Sequence, residues 1–271
     1  MRLRLDLSYD GSAFHGWARQ NHLRTVQGDI EIWLSRLLGE QIPLTVAGRT
    51  DAGVHALGQV AHIDVDDMTD IDQLKRRLRR VLPNDIVLQS LSIAPEGFDA
   101  RFSAIWRLYR YRIWDRDSHI DPLQRHMVTS VDSSLDIDQM NRAGAMLLGL
   151  RNFAPFCKKR EGATTIRTLM ELTTHRLDDG MIVTTVKADA FCHSMVRSLM
   201  GALTAIGSGR RDLNWLEVVS SLNERAGDIH VMAARGLCLE QVGYPDDDRL
   251  AERARESRSM RTLPELPCDC D

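Results

Sequence analysis

The chain has 271 residues, 43% hydrophobic and 27% charged, an ordinary globular composition that excludes collagen, coiled-coil and disordered classes as the main architecture. No apolar run approaches the roughly 18 residues of a membrane span, and MRLRLDLSYD alternates charge with Leu instead of carrying the apolar stretch of a signal peptide. The net charge of −3 (35 basic, 38 acidic) argues on its face against a polyanionic partner. However, the segment from Pro245 to Asp271 holds eight acidic residues and five Arg, so residues 1–244 are neutral, and Arg101 to His126 carries six Arg against three Asp. Arginines gathered in space can make a polyanion-binding face; a solvated surface is the bland reading. Cys157, Cys192, Cys238, Cys268 and Cys270 are odd in number and lack the paired spacing of a zinc site. That fits a reducing cytoplasm with no disulfide framework.

Leu3, Leu5, Leu7 and Tyr9 alternate with polar residues, which predicts a strand over 2–9 broken by Asp10-Gly11. Ile30, Trp33, Leu34, Leu37 and Leu38 recur at helical spacing from Thr25, and Gly39 stops that helix. Ile42 to Ala47 reads as a short strand and Gln59 to Val65 as another, with a Gly-bearing loop between them. Asp70 caps a helix to Leu82 that stops at Pro83-Asn84-Asp85, and Ile86 to Ile93 alternates again. This β-α-β-β-α-β order is ferredoxin-like.

The order then recurs. Trp106 to Trp114 reads as a strand, a polar insertion occupies 115–135, and a helix is predicted from Ile137 to Leu150. Ile166 to Leu177 and Met181 to Ala190 are strands joined by Asp178-Asp179-Gly180, a strong hairpin signal. Helices over His193–Ile206 and Asn214–Leu222 and a closing strand over Arg235–Val242 complete the second half. No linker rich in Gly, Ser or Pro separates the halves. The expected architecture is α+β: two fused ferredoxin-like (RRM-like) halves, 1–104 with the Gly-bearing loop and 105–244. They form one continuous, mostly antiparallel sheet with helices on one face and a central cleft on the other. Residues 245–271 read as a polar, acidic tail, partly helical or disordered.

Gly48-Arg49-Thr50-Asp51-Ala52-Gly53-Val54-His55 lies between two predicted strands. Its glycines permit φ > 0 and close approach of a ligand. An Asp on a rigid inter-strand loop suits a nucleophile or base, with Arg49 near enough in sequence to balance its charge. A tight turn with a capping Asp is the competing reading. His193, Arg197 and Gly201 stand at i, i+4, i+8, which on a helix makes one face that can meet phosphate or Asp51. Lys158-Lys159-Arg160 and the basic residues Lys75, Arg76, Arg77, Arg79 and Arg80 divide between phosphate contacts and plain solvation. Phe153 and Phe156 read as core anchors, and Cys268-Asp269-Cys270 is too small a set for a metal site.

That octapeptide resembles the catalytic motif of the TruA family of tRNA pseudouridine synthases. Tyr9-Asp10-Gly11 with Gly16-Trp17 and Arg19-Gln20 resembles its N-terminal signature. Arg101-Phe102-Ser103-Ala104 with Tyr109-Arg110-Tyr111 resembles a second segment, and Phe191, His193, Met195-Val196-Arg197 and Gly201 a third; Gly236-Leu237 also fits. The resemblance implies cofactor-free isomerisation of uridine to pseudouridine in the tRNA anticodon stem-loop, commonly at positions 38 to 40. It also implies a homodimer, Asp51 as the essential aspartate and Tyr109 as the active-site tyrosine. Arg49, Arg197 and His193 are the expected substrate contacts. A noncatalytic RNA-binding protein with an RRM-like sheet is the main alternative. It has no RNP1 pattern at Tyr109-Arg110-Tyr111 and no use for Asp51. A hydrolase with Asp51 as nucleophile lacks a second acid or a metal set.

Overall fold

The computed structural model describes residues 1–158, 162 and 164–258. The first half runs β1 (Arg2–Tyr9), α1 (Val26–Leu38), β2 (Thr45–Val46), β3 (His55–Asp64), α2 (Ile71–Val81) and β4 (Ile86–Ile93). Alternation in β1 buries Leu3, Leu5 and Leu7 completely and leaves Arg4 and Asp6 on the other face, where they pair at 2.7 Å. The helices start where side chains satisfy their free amides: Thr25 accepts from Gly28 N–H and Asp70 from Gln73 N–H. Val26, Ile30 and Leu34 of α1 and Leu74 and Leu78 of α2 share one core with the sheet residues. In α2, Arg79 is occupied locally, its guanidinium donating to the carbonyls of Leu88 and Gln89.

The second half runs β5 (Trp106–Trp114), β6 (Thr129–Ser130), α3 (Ile137–Met146), β7 (Gly149–Asn152), β8 (Ile166–Arg176), β9 (Ile182–Ala188), α4 (Met195–Gly207), α5 (Leu213–Ser220) and β10 (Leu237–Gly243). The main sheet order is β4-β1-β3-β10-β5-β9-β8-β7, with β2 on β3 and β6 on β5. Counted within each half, with the added strands β6 and β7 set aside, the order 4-1-3-2 appears twice, as β4-β1-β3-β2 and β10-β5-β9-β8. The sheet is continuous, as expected. The halves join where β10 pairs parallel with β3 through Cys238↔His55 and Leu239↔Ala56. β2 pairs with the far end of β3 through Thr45↔His62 and Val46↔Ala61. Because β1 occupies the other edge of β3 along its length, β2 and β10 share the remaining edge. Residues 47–54 cross the gap between them, so topology puts this loop at the seam.

Three expectations are corrected. The helix predicted to Leu150 ends at Met146: Gly149 takes a left-handed φ of 93°, and residues 149–152 leave as an edge strand on β8. Leu147 and Leu150 kept the helical spacing, which is why periodicity alone carried the helix too far. The expected strand over 42–47 pairs only at Thr45–Val46. Finally, the segment after Pro245 is no appendage up to residue 258. A sixth helix, α6 (Leu250–Glu256), buries Leu250 and Ala254 and returns to the first half, where Leu250 O accepts from Ser103 Oγ at 3.1 Å. Cys268, Asp269 and Cys270 lie outside the described residues. Among the described residues, no helix is long and apolar enough to cross a membrane.

Candidate active site

The seam loop is held from below by side chains of the first half. Gln59, fully buried, donates through Nε2 to Gly48 O at 2.8 Å and to the Tyr9 hydroxyl at 3.1 Å. Tyr9 in turn meets Thr50 Oγ1 at 2.8 Å. Burial raises the Tyr9 hydroxyl above the ordinary phenol range, against the opposing bonds to Thr50 and Gln59. The hydroxyl therefore stays a neutral link in a buried chain that fixes the residue beside Asp51. Trp17 N–H donates to Thr50 O at 3.0 Å and Gly53 N–H to Phe14 O at 3.2 Å. Gly53 has φ 76°, the left-handed conformation expected of the loop, whereas Gly48 does not. Gly11 is a glycine for another reason: a Cβ there would run into the Val54 carbonyl. His55 closes the loop, bridging Gly11 N–H at 3.1 Å and the His126 carbonyl at 2.9 Å. The resemblance to Tyr9-Asp10-Gly11 thus corresponds to a physical brace.

A cleft of about 610 Å³ opens beside this loop. Asp51 lines it with a third of its side chain exposed. Its Oδ1 stands 3.5 Å from His193 Nε2 and its Oδ2 3.9 Å from Arg197 Nη1. Tyr109 lines the same cleft, packed edge-on against Phe191 with ring centroids 5.1 Å apart. It is 7% exposed, and burial raises its hydroxyl above the usual range, leaving it a neutral donor at neutral pH. Tyr109 pairs with Leu239 in β10 and Leu239 with Ala56 in β3. Two ladder steps therefore bring β5 opposite the Asp51 loop.

The structure brings Asp51, Tyr109, Arg49, Arg197 and His193 to one cleft, but not as the spacing implied. Arg49 is exposed, and the side chains facing Asp51, His193 and Arg197, come from the second half. His193 lies outside the helix: Ser194 takes φ 65° and α4 begins at Met195. The expected stripe of His193, Arg197 and Gly201 on one helix face is therefore wrong in construction, although its first two members do meet Asp51. A non-glycine residue in the left-handed region costs of order 1 kcal/mol and tends to persist where the surroundings impose it. Gly201 faces the protein interior, where a Cβ would overlap the His230 carbonyl. Arg197 is fixed there too, with Nε donating to Met232 O at 2.6 Å. Tyr111 is a core residue, its hydroxyl pushed up to about 12 by burial and donated to Ala233 O at 2.7 Å. Phe153 and Phe156 are core, Lys158 is exposed, and Lys159 and Arg160 lie outside the described residues.

Two features escaped sequence reasoning. Buried Arg107 donates to three carbonyls, Asp189 at 2.7 Å, Ala47 at 2.8 Å and Arg101 at 2.9 Å, tying the loop's entry strand to the second half. The i, i+2 relation to Tyr109 put it on the right face but gave no sign of its partners. The cysteine reading is also corrected, because Cys157 and Cys192 are joined by a disulfide with Cα atoms 5.8 Å apart. Their separation of 35 residues carries no local signature; the fold brings the turn after β7 against the turn that bears His193. Among the described residues no cluster of three or more His, Cys, Asp or Glu is arranged to hold a metal ion.

This arrangement offers one carboxylate flanked by an imidazole and a guanidinium, in a cleft also lined by the Tyr109 and Phe191 rings. Comparison with known proteins gives that chemistry a context. A family model described as tRNA pseudouridine synthase matches residues 7–103 and 143–245. A tRNA pseudouridine synthase A of Cutibacterium acnes is 56% identical, covering 99% of this chain and 97% of that protein. The corresponding proteins of Streptomyces avermitilis (53% identical, 99% and 96% covered) and Leifsonia xyli (48% identical, 97% and 98% covered) are similar along their whole lengths. The chain belongs to the tRNA pseudouridine synthases, isomerases that convert uridine in tRNA to pseudouridine.

Proposed function

We propose that this protein isomerises uridine to pseudouridine at positions 38, 39 and/or 40 of the tRNA anticodon stem-loop, without a cofactor. In this reading Asp51 is the catalytic carboxylate. The observation that carries it is the convergence of Asp51, His193, Arg197 and Tyr109 on one cleft at the seam of the two halves. The N1–C1′ bond breaks, the uracil turns within the cleft, and C5 bonds to C1′; C5 loses its proton and N1 gains one, so the product is an isomer. The Asp51 carboxylate serves either by adding to C1′ and being displaced by C5, or by taking and returning the C2′ proton along a glycal route. Arg197 and His193 hold it toward the sugar. The target base must leave its stack, at a cost of a few kcal/mol. Tyr109 offsets this as a wall for the extruded uracil, a kind of contact worth about 1–3 kcal/mol. Arg49, exposed at the rim, meets the backbone.

The protein works in the cytoplasm, where tRNA is its substrate, and as a homodimer whose paired basic surfaces lengthen the track for a polyanion. Affinity for tRNA then falls steeply with salt. The test is tritium release from tRNA labelled at uridine C5. Release is expected, and its loss when uridines 38–40 are replaced by cytidine. Release indifferent to those replacements would overturn the assigned positions; none from any tRNA would overturn the reaction. Sedimentation as a monomer at micromolar concentration would overturn the homodimer.

A further inference from the structure

The region matched by the family model ends at residue 245, yet the cleft does not. Arg253 and Ser257, on α6 and the turn after it, line the same cavity as Asp51 and Tyr109, together with Arg101, Phe102 and Arg107. The segment is firmly seated. Leu250 and Ala254 are buried, Ser257 Oγ donates to Phe102 O at 2.6 Å, and Ala251 packs on Gly97.

The charges in this corner are sorted in an informative way. The Phe102 ring has the guanidinium of Arg101 and that of Arg258 each 5.1 Å from its centroid. Two like charges sharing one ring is an arrangement that gains from an anion nearby. Among the described residues, Arg253 places its Nε out of water with no hydrogen-bond partner, while its Nη1 has an exposed Glu256 carboxylate at 3.6 Å. It also lies within repulsive range of buried Arg107, whose guanidinium donates to three carbonyls and to no carboxylate among the described residues. The neighbouring Asp99 carboxylate is occupied by the N–H groups of Arg101 and Phe102. An unmatched donor and clustered positive charge on the wall of a cleft that takes RNA call for an acceptor-only anion.

We propose that residues 250–258 form an RNA-phosphate subsite of the cleft, in which Arg253 and Arg258, with Arg101, receive a backbone phosphate of the substrate strand. This deepens the reading of the cleft as a tRNA site and rests on it. The segment is then part of the substrate-binding surface contributed from outside the region that the family model matches, despite the net acidic composition of residues 245–271. Arg253 lines the cleft and Arg258 reaches its edge through the ring of cleft-lining Phe102; Arg249 and Arg255 on the same segment do neither, so they are a matched control of equal charge.

The test compares the Arg253→Gln/Arg258→Gln pair with the Arg249→Gln/Arg255→Gln pair by tRNA binding across a salt series and by tritium release. The first pair is expected to weaken binding about 10-fold or more and to make the log K against log salt plot shallower by about one per arginine removed. Turnover at saturating tRNA should stay within about twofold. The control pair should leave affinity and slope as in the unaltered protein. Arg253→Lys/Arg258→Lys, which keeps the charge, should restore most of the slope and guards against a folding defect in the Gln pair. Unchanged affinity and slope in the first pair, or an equal loss in the control pair, would overturn the subsite. Absence of tritium release by the unaltered enzyme would instead overturn the reading of the reaction.

Discussion

Asp115 and Asp51 both face an arginine, one at the end of β5 and one in the seam loop. The Asp115 side chain is fully buried and accepts both arms of Arg176, at 2.9 and 2.7 Å. It also accepts from the N–H groups of Leu135 (3.0 Å) and Asp117 (3.1 Å), with the Ser118 hydroxyl at 2.9 Å. Burial works against its charge, but Arg176 and these donors outweigh it and hold the carboxyl at about 2. Asp51 is partly exposed, and the His193 and Arg197 nitrogens facing it stand at 3.5 and 3.9 Å, beyond good hydrogen-bond length. One carboxylate has its lone pairs filled and pins the 115–135 insertion to β8. The other keeps lone pairs free toward a cleft. The same residue type is locked into the fold where its acceptor capacity is spent and open to a ligand where it is not, which is the basis for proposing Asp51 as the reacting carboxylate.

The largest effect should follow from Asp51→Asn, which keeps the size and removes the charge. Turnover should fall by at least about 10⁴-fold, while the melting temperature stays within about 2 °C, because no short bond is lost. Asp115→Asn should do the reverse. Leaving Arg176 without its bidentate partner is expected to cost about 3–5 kcal/mol, or about 10 °C in melting temperature, with turnover per folded molecule unchanged. A large activity loss at full stability would break the contrast.

Tyr109 sharpens it from the other wall. Tyr109→Phe keeps the ring and removes the hydroxyl, so turnover should drop by about 10²–10⁴-fold with tRNA affinity nearly intact. Tyr109→Leu should be at least as impaired. Wild-type turnover in the Phe variant with an inactive Leu variant would reduce Tyr109 to a platform. Full activity in both would make it a core filler.

The acid limb of stability separates the aspartates again. The Asp115 carboxyl lies below its ordinary 3.8 in the folded protein. Its stabilisation is complete above the ordinary value and is lost as pH falls through about 2. About 2 kcal/mol of stability should disappear between roughly pH 4 and pH 2. Urea titrations over that range should show the decline in the unaltered protein and a flatter profile in Asp115→Asn. The smallest effect should come from Tyr9→Phe, which cuts the link from Gln59 to Thr50. About 1 kcal/mol of stability and roughly 10-fold in turnover should be lost with little change in KM; a change confined to KM would contradict a bracing role.

Much of the fold was legible because each element states its buried face locally. Leu3, Leu5 and Leu7 alternate, Thr25 and Asp70 cap, and Asp178-Asp179-Gly180 turns with Gly180 at φ 80°. The 4-1-3-2 order in each half follows from the repeated element order. What was illegible depended on backbone handedness or distant contacts. Gly149 turned a periodic run into an edge strand. Ser194 took His193 off the helix it seemed to start. Arg49, two residues from Asp51 in sequence, points to solvent, while Arg197, 146 positions away, comes to the carboxylate. Motif resemblance named Asp51, Tyr109, His193 and Arg197, which the structure gathers at one cleft. It included Tyr9 and Thr50 but not the hydrogen bonds that join them to Gln59, and it held nothing about α6, whose polar sequence hides the two buried positions that seat it.

The account turns on Asp51, and single-turnover tritium release tests it most directly. With enzyme in excess over tRNA labelled at uridine C5, product release and assembly drop out and only the chemistry at the bound base is read. The unaltered protein should release the label in one phase. Asp51→Asn should release none above the enzyme-free control while retaining the tRNA on a filter. Release by Asp51→Asn at a rate near that of the unaltered protein would contradict the assignment of the reaction to this carboxylate.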